Sequence, residues 1–198
     1  MTKGFYMKYR NRLKGSITQA LVRSLLIDAG ITVVPLGIEE VIRELSDMPQ
    51  MQYKALNLPY PLKTLPDFFA INADRSESWL LEVKFRGNWN NDVQSELYNT
   101  LYEQVKSWSP LHLILFFGNT PSYFPENPSS WIRVAKLRCD NDKILVEIKG
   151  VLKDWFETEW TEFSRIQDVF SELSSPEKWE DAVLKLTISV SKELVELS

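Results

Sequence analysis

At 198 residues and 23.1 kDa the chain is long enough for one ordinary domain with a small extension and too short for two full-size domains. Its 44% apolar and 25% charged residues, with a mean hydropathy of −0.23, exclude a disordered, collagenous or membrane-spanning chain. The formal charge of −4 hides an asymmetry: residues 1–150 hold 18 Lys and Arg against 16 Asp and Glu, whereas residues 151–198 hold 5 against 11.

A single cysteine, Cys139, excludes an internal disulfide and a cysteine-based zinc cluster. A single histidine, His112, excludes any site that needs two, and leaves Ser-His-Asp hydrolysis only one base to use. Arg23 and Asp28 interrupt what would otherwise be an apolar N-terminal run, so no signal peptide or spanning helix is expected and the protein reads as intracellular.

Along the chain, the first 27 residues carry Lys3, Lys8, Arg10, Arg12, Lys14 and Arg23 with no acid, and Tyr6 and Tyr9 are interleaved. Such an arm suits a run of phosphates, because local potential steers a polyanion more than total charge does; the plainer reading is a solvated terminus. From Ser16 to Ala29, Ile17, Leu21 and Leu25 recur at helical spacing, Gly30 supplies a stop, and Ser16 with Gln19 has the form of a capping box that would begin the helix. Ile31–Leu36 reads as a strand, Ile38–Leu45 as a short helix, and Ser46–Leu65, rich in Pro, Met and Tyr, as an irregular connection of the length that often serves function.

Asp67–Ile71 and Trp79–Arg86 then form a predicted hairpin around the polar segment 72–78. A helix over Asn91–Trp108 presents Val93, Leu97, Leu101, Val105 and Trp108 on one face and ends at Ser109-Pro110. Leu111–Phe117 is almost continuously apolar, the mark of a strand covered on both faces, and this order of elements implies an α/β sandwich. After a loop with three prolines, Trp131–Leu137 and Ile144–Ile148 read as two more strands. Residues 151–198 read as two amphipathic helices, one marked by Trp155, Phe156, Trp160, Phe163 and Phe170, the other by Trp179, Val183 and Leu186. Their aromatic face would pack on the core or on a second copy, or would gate a site below. The expected division is a core over 1–150 and a helical extension over 151–198.

The chemistry concentrates at the hairpin. Strand alternation puts Glu82, Lys84 and Arg86 on one face and Leu81, Val83 and Phe85 on the other. A turn centred on Asp74-Arg75 puts Asp67 opposite Glu82, with Cβ atoms roughly 4.5–5.5 Å apart. Two facing carboxylates are destabilising unless a positive group lies between them, and a hard cation such as Mg²⁺ answers that need. A salt bridge from Glu82 to Lys84 or Arg86 is the simpler use of the same residues. A second acid-x-Lys triplet, Glu147-Ile148-Lys149, lacks a Pro-Asp at hairpin distance before it and serves as an internal control.

Pro66-Asp67 followed by Glu82-Val83-Lys84 resembles the PD-(D/E)XK nuclease superfamily, which includes type II restriction enzymes and archaeal Holliday junction resolvases, and the order of elements over residues 15–117 is similar to that family's. The resemblance implies a restriction-endonuclease-like α/β core, a mixed β-sheet flanked by helices, with a C-terminal helical appendage. It implies a nuclease that hydrolyses DNA phosphodiester bonds using Mg²⁺ or Mn²⁺ held by Asp67, Glu82 and the backbone carbonyl of Val83, with Lys84 assisting the attacking water. Lys8, Arg10, Arg12, Lys14 and Arg86 would contact DNA phosphates, and a homodimer is expected from the habit of many relatives.

One departure is Gln19, which stands about where many members carry a further acid; it reads either as an accessory ligand through water or as the capping residue already described. Glu39 and Glu40 could supply the missing charge or belong to a solvated helix start. Gln94, Tyr98, Tyr102 and Lys106 recur at four-residue spacing and form either a polar helix face or a set that reaches the site. Arg86, Asn88, Trp89 and Asn90 lie where phosphate contacts and base stacking would help, although Trp89 could equally cover the sheet edge. His112 reads as a buried strand histidine without a chemical role, and Cys139 as having none. The rival functions are a non-cleaving nucleic-acid-binding or regulatory module on the same fold, and an interaction protein that works through its aromatic tail.

Overall fold

The computed structural model describes residues 3–38, 48, 50–117 and 132–173, with side chains of the first helix described from Arg12 onward. Four expectations lie outside the described residues: most of the helix over Ile38–Leu45 with Glu39 and Glu40, the three-proline loop, the second tail helix with Trp179, Val183 and Leu186, and the side chains of Lys8 and Arg10.

Helix α1 (Lys3–Asp28) is longer than its sequence signal. Ser16 does not begin it: the hydroxyl turns back onto the carbonyl of Arg12 (3.1 Å) in mid-helix, an internal use of serine that leaves nothing for a cap. The basic arm is therefore helical from Lys3 onward. Lys14, Thr18, Leu21, Val22, Leu25, Leu26 and Ala29 form its buried stripe at helical spacing. The helix stops as expected at Gly30, whose φ of +89° allows its N–H to bond Ile27 and that of Ile31 to bond Leu26, the paired bonds of a Schellman motif. Gly30→Ala is expected to cost about 1 kcal/mol, measured as a shift of the urea midpoint, because a Cβ is strained in that conformation.

Strand β1 (Thr32–Pro35) follows. The connection expected to be irregular contains two short helices, α2 (Gln50–Ala55) and α3 (Tyr60–Lys63); α3 starts on Pro59 with Pro61 in its first turn, where a missing N–H costs nothing. The remaining elements are β2 (Phe68–Ile71), β3 (Ser78–Arg86), α4 (Asn91–Ser107), β4 (Leu111–Phe117), β5 (Ile132–Asp140), β6 (Lys143–Ile148), β7 (Val151–Asp154), β8 (Ser164–Arg165) and α5 (Ile166–Val169). Asn90 caps α4 by accepting the N–H of Val93 (2.9 Å).

The described strands form one open mixed sheet of 8 strands in the order β1 to β7, with β8 paired to β5. Among the described strands β3 and β4 are the parallel pair, and α4 supplies the long crossover that a parallel pair needs. Every residue of β4 is buried, which agrees with its unbroken apolar sequence. Among the described residues no helix is long and apolar enough to cross a membrane.

Residues 151–173 correct the expected helical appendage. Ile148 pairs with Val151 across a two-residue turn in which Lys149 and Gly150 have φ of +50° and +82°, so the chain returns to the sheet as β7. Trp155, Phe163, Ile166, Phe170 and Leu173 then enter the core through short 3-10 turns, β8 and α5, not along one helix face. Phe170 meets Trp79 edge-on at 5.0 Å and Trp155 lies parallel to Phe163 at 6.3 Å, so this stretch belongs to the same core as the sheet.

Candidate active site

The hairpin adopts the register expected from its sequence, with Phe68 facing Leu81 and Ile71 facing Ser78. Asp67 lies one residue beyond the last pair and its carbonyl accepts the N–H of Leu36 (2.9 Å), so β2 begins where Asp67 is pinned. Its side chain replaces the backbone that β3 would otherwise pair with: Oδ2 accepts the N–H of Val83 at 2.8 Å. In an extended strand the N–H and C=O of one residue point to the same edge, so the Val83 carbonyl also lies on this side, past the end of β2. The other oxygen, Oδ1, accepts Nε2 of Gln19 from α1 at 2.8 Å. Gln19 thus serves the acid and not a helix cap.

Glu82 is only 5% exposed. Its Oε1 accepts Nζ of Lys84, and its Oε2 accepts Nε2 of Gln104 at 2.7 Å. Gln104 also donates to the carbonyl of Leu65 (3.3 Å), tying α4 to the segment that leads into Pro66-Asp67. Each acid is therefore oriented by an amide, one from α1 and one from α4. Gln104 was not foreseen, yet its signal was present: it is a polar residue within the stripe Leu97, Leu101 and Val105. The residues read as a four-spaced set lie elsewhere. Gln94 holds the carbonyls of Trp155 and Thr158, Tyr98 packs on Tyr102 and Phe156, and Lys106 pairs with Asp142.

Burial pushes the Asp67 carboxyl up to about 7, and the charge of Glu82 adds to this; Lys84, the Val83 N–H and Gln19 only partly offset it. For Lys84, burial works against its charge, but Glu82 and then Asp67 overcome it and its pKa is raised, so the amine remains an ammonium at neutral pH. Two acids and one ammonium thus meet where burial works against every charge.

The donor set fits a hard divalent cation. All four carboxylate oxygens accept one hydrogen bond, and each keeps a second lone pair. Two carboxylates and a backbone carbonyl are the oxygen ligands that Mg²⁺ and Mn²⁺ prefer. Among the described residues no third His, Cys, Asp or Glu joins them, so water and substrate would complete the shell.

Gln19 borders two clefts. One, of about 370 Å³, is lined by Ser16, Arg23, Pro35, Asp67 and Phe68. The other, of about 530 Å³, is lined by Lys14, Lys84, Phe85, Arg86, Gly87 and Glu96. Of the residues expected to contact phosphate, Lys14 and Arg86 border this second cleft, whereas Arg12 is an exposed residue of α1 that lines neither. Trp89 is in edge contact with Phe117, Trp155 and Phe163, so it covers the sheet and does not present a ring to a base.

The second triplet behaves as a control. Glu147 pairs with Lys136 and Arg138, which holds its carboxyl below the usual range, and Lys149 sits in the β6–β7 turn with positive φ, off the strand. His112 is buried, its Nδ1 has no partner among the described residues, and burial followed by the charge of Lys136 brings its pKa down to about 4, so the ring is neutral. In comparisons with known proteins, the chain matches no family model, no curated protein and no solved structure.

Proposed function

We propose that the chain is a metal-dependent phosphodiesterase of the PD-(D/E)XK type that acts on DNA. The observation that carries this reading is the meeting of Asp67 and Glu82 from adjacent strands, each held by a glutamine amide, with the Lys84 ammonium against Glu82 and a cationic cleft beside them. Asp67, Glu82 and the Val83 carbonyl would hold Mg²⁺ or Mn²⁺. When bound, such an ion supplies Lewis-acid polarisation of a phosphate oxygen and a lower pKa for a water molecule. Lys84, protonated at neutral pH, orients the attacking water and stabilises negative charge as it grows on the phosphate, a contribution that is largest in a buried site. Gln19 and Gln104 fix the rotamers of the two acids, so little reorganisation is left for the moment of reaction. Hydrolysis would proceed in line, without a covalent intermediate on the enzyme.

A second reading, a nucleic-acid-binding module that does not cut, draws on Gln19: an amide stands where a further acid would strengthen metal binding, and every carboxylate oxygen already has a donor within the chain. Incubation with supercoiled, linear, single-stranded and branched DNA, with and without Mg²⁺ or Mn²⁺, separates the two. Metal-dependent cleavage that Glu82→Gln abolishes and Lys84→Ala slows about 10²-fold or more supports the enzyme. Tight binding without cleavage of any substrate supports the module.

A further inference from the structure

The larger cleft contains an arrangement that the hydrolytic site alone does not explain. Lys84 and Arg86 share a face of β3 and are two residues apart, a separation of about 6.7 Å along the strand, comparable with the step between successive phosphates of a nucleic-acid strand. Lys14 reaches the same cleft from α1; it is 9% exposed and its ammonium sits 5.3 Å above the Phe85 ring. Arg86 is mostly buried, yet weakly compensated. One of its terminal nitrogens bonds the carbonyl of Phe85 (2.8 Å), its Nε is buried without a partner, and its Nη2 has a single carboxylate, Glu96, at 3.3 Å. That is long for a charge-assisted pair, and Glu96 itself is 66% exposed, so the contact is loose. Burial, only partly offset by Glu96, lowers the Arg86 pKa, as expected for a guanidinium short of counter-charge. Beside it, a Cβ added at Gly87 would meet nothing within 4 Å, so the backbone is open on that side.

We propose that Lys14 and Arg86 form a second phosphate subsite, one nucleotide away from the reacting bond, and that Glu96 is an internal counter-ion which a bound phosphate displaces. This rests on the reading of the ligand as nucleic acid. Phosphate is the better partner for Arg86 because it offers two oxygens to the planar fork, whereas Glu96 approaches one nitrogen at long range. The loose carboxylate keeps the arginine compensated while the cleft is empty and yields when a chain enters. Its presence also disfavours weak or partial ligands, since a phosphate must outcompete it.

The test is a binding cycle carried out in EDTA, so that cleavage plays no part. A fluorescent single-stranded 12-mer and its duplex are titrated by anisotropy into the wild type, Glu96→Gln, Arg86→Gln and the double variant, and inorganic phosphate is titrated in parallel by calorimetry. Glu96→Gln is expected to tighten oligonucleotide binding about two- to fivefold, Arg86→Gln to weaken it, and the gain from Glu96→Gln to vanish in the Arg86→Gln background. An equal gain in both backgrounds would mean that Glu96 acts only by general repulsion and would overturn the proposal, as would no change on Glu96→Gln. Because Glu96 is exposed, its substitution leaves folding intact and the cycle interpretable. Coupling without cleavage under any metal would keep the subsite and remove the hydrolase; cleavage without coupling would do the reverse. Phosphate binding that shows the coupling, with no binding of either oligonucleotide, would overturn the nucleic-acid assignment of the subsite.

Discussion

Lys84→Ala is expected to lower the rate of metal-dependent DNA cleavage about 10²- to 10³-fold, the loss typical of removing one preorganised donor from a site where charge develops. The ammonium is held in place by Glu82, and its raised pKa keeps it charged through the neutral range. Its loss would therefore appear in the chemical step, measured by single-turnover cleavage at saturating protein. Oligonucleotide affinity in EDTA should fall much less, because Lys14 and Arg86 remain in the cleft. An equal loss in binding and in rate would make Lys84 a phosphate anchor only.

Asp67→Asn is expected to have opposite effects on activity and on stability. If Asp67 holds the metal as proposed, the substitution removes a ligand and should abolish cleavage. With the Gln19 amide turned so that its oxygen accepts from the new Nδ2, the substitution should also stabilise the fold in EDTA at pH 8 by about 1–3 kcal/mol relative to the wild type. The sign follows from the carboxyl being harder to ionise in the folded chain, about 7, than at its usual value of 3.8. Below 3.8 the group is protonated in both states and imposes no penalty. As pH rises towards 7 the unfolded chain releases this proton freely while the folded chain resists, so wild-type stability falls across that window. Urea unfolding at pH 5, 6, 7 and 8 should show the decline in the wild type and not in the variant. Millimolar Mg²⁺ should restore wild-type stability at pH 8 and leave the variant unchanged, since only a state with a site gains from the ligand. A wild type insensitive to both pH and Mg²⁺ would contradict this picture of the site.

The two strands of the hairpin were legible because alternation fixes which residues of β3 share a face, since a one-residue slip would turn Leu81, Val83 and Phe85 outward; their exact pairing rested on placing the turn at Asp74-Arg75, which the structure adopts. The buried strand β4 and the helix stop at Gly30 were readable for similarly local reasons. The start of α1 was not, because Ser16 can cap a helix or bond back within one and its local sequence is the same in both cases. The tail misled because aromatic spacing over Trp155, Phe163 and Phe170 fits a helix face, whereas the Lys149-Gly150 turn that sends the chain back to the sheet is a two-residue signal. Gln104 was not legible because a polar stripe on α4 points to Gln94, Tyr98, Tyr102 and Lys106, whereas the residue that reaches Glu82 interrupts the apolar stripe.

The most direct measurement is anomalous scattering from crystals of the wild-type protein soaked in Mn²⁺. A single peak within coordination distance of the Asp67 and Glu82 carboxylates and the Val83 carbonyl is the expected result. Absence of a peak there, with Glu82 still closed on Lys84 and Gln104 and Asp67 still closed on Gln19 and the Val83 N–H, would contradict a metal-dependent phosphodiesterase.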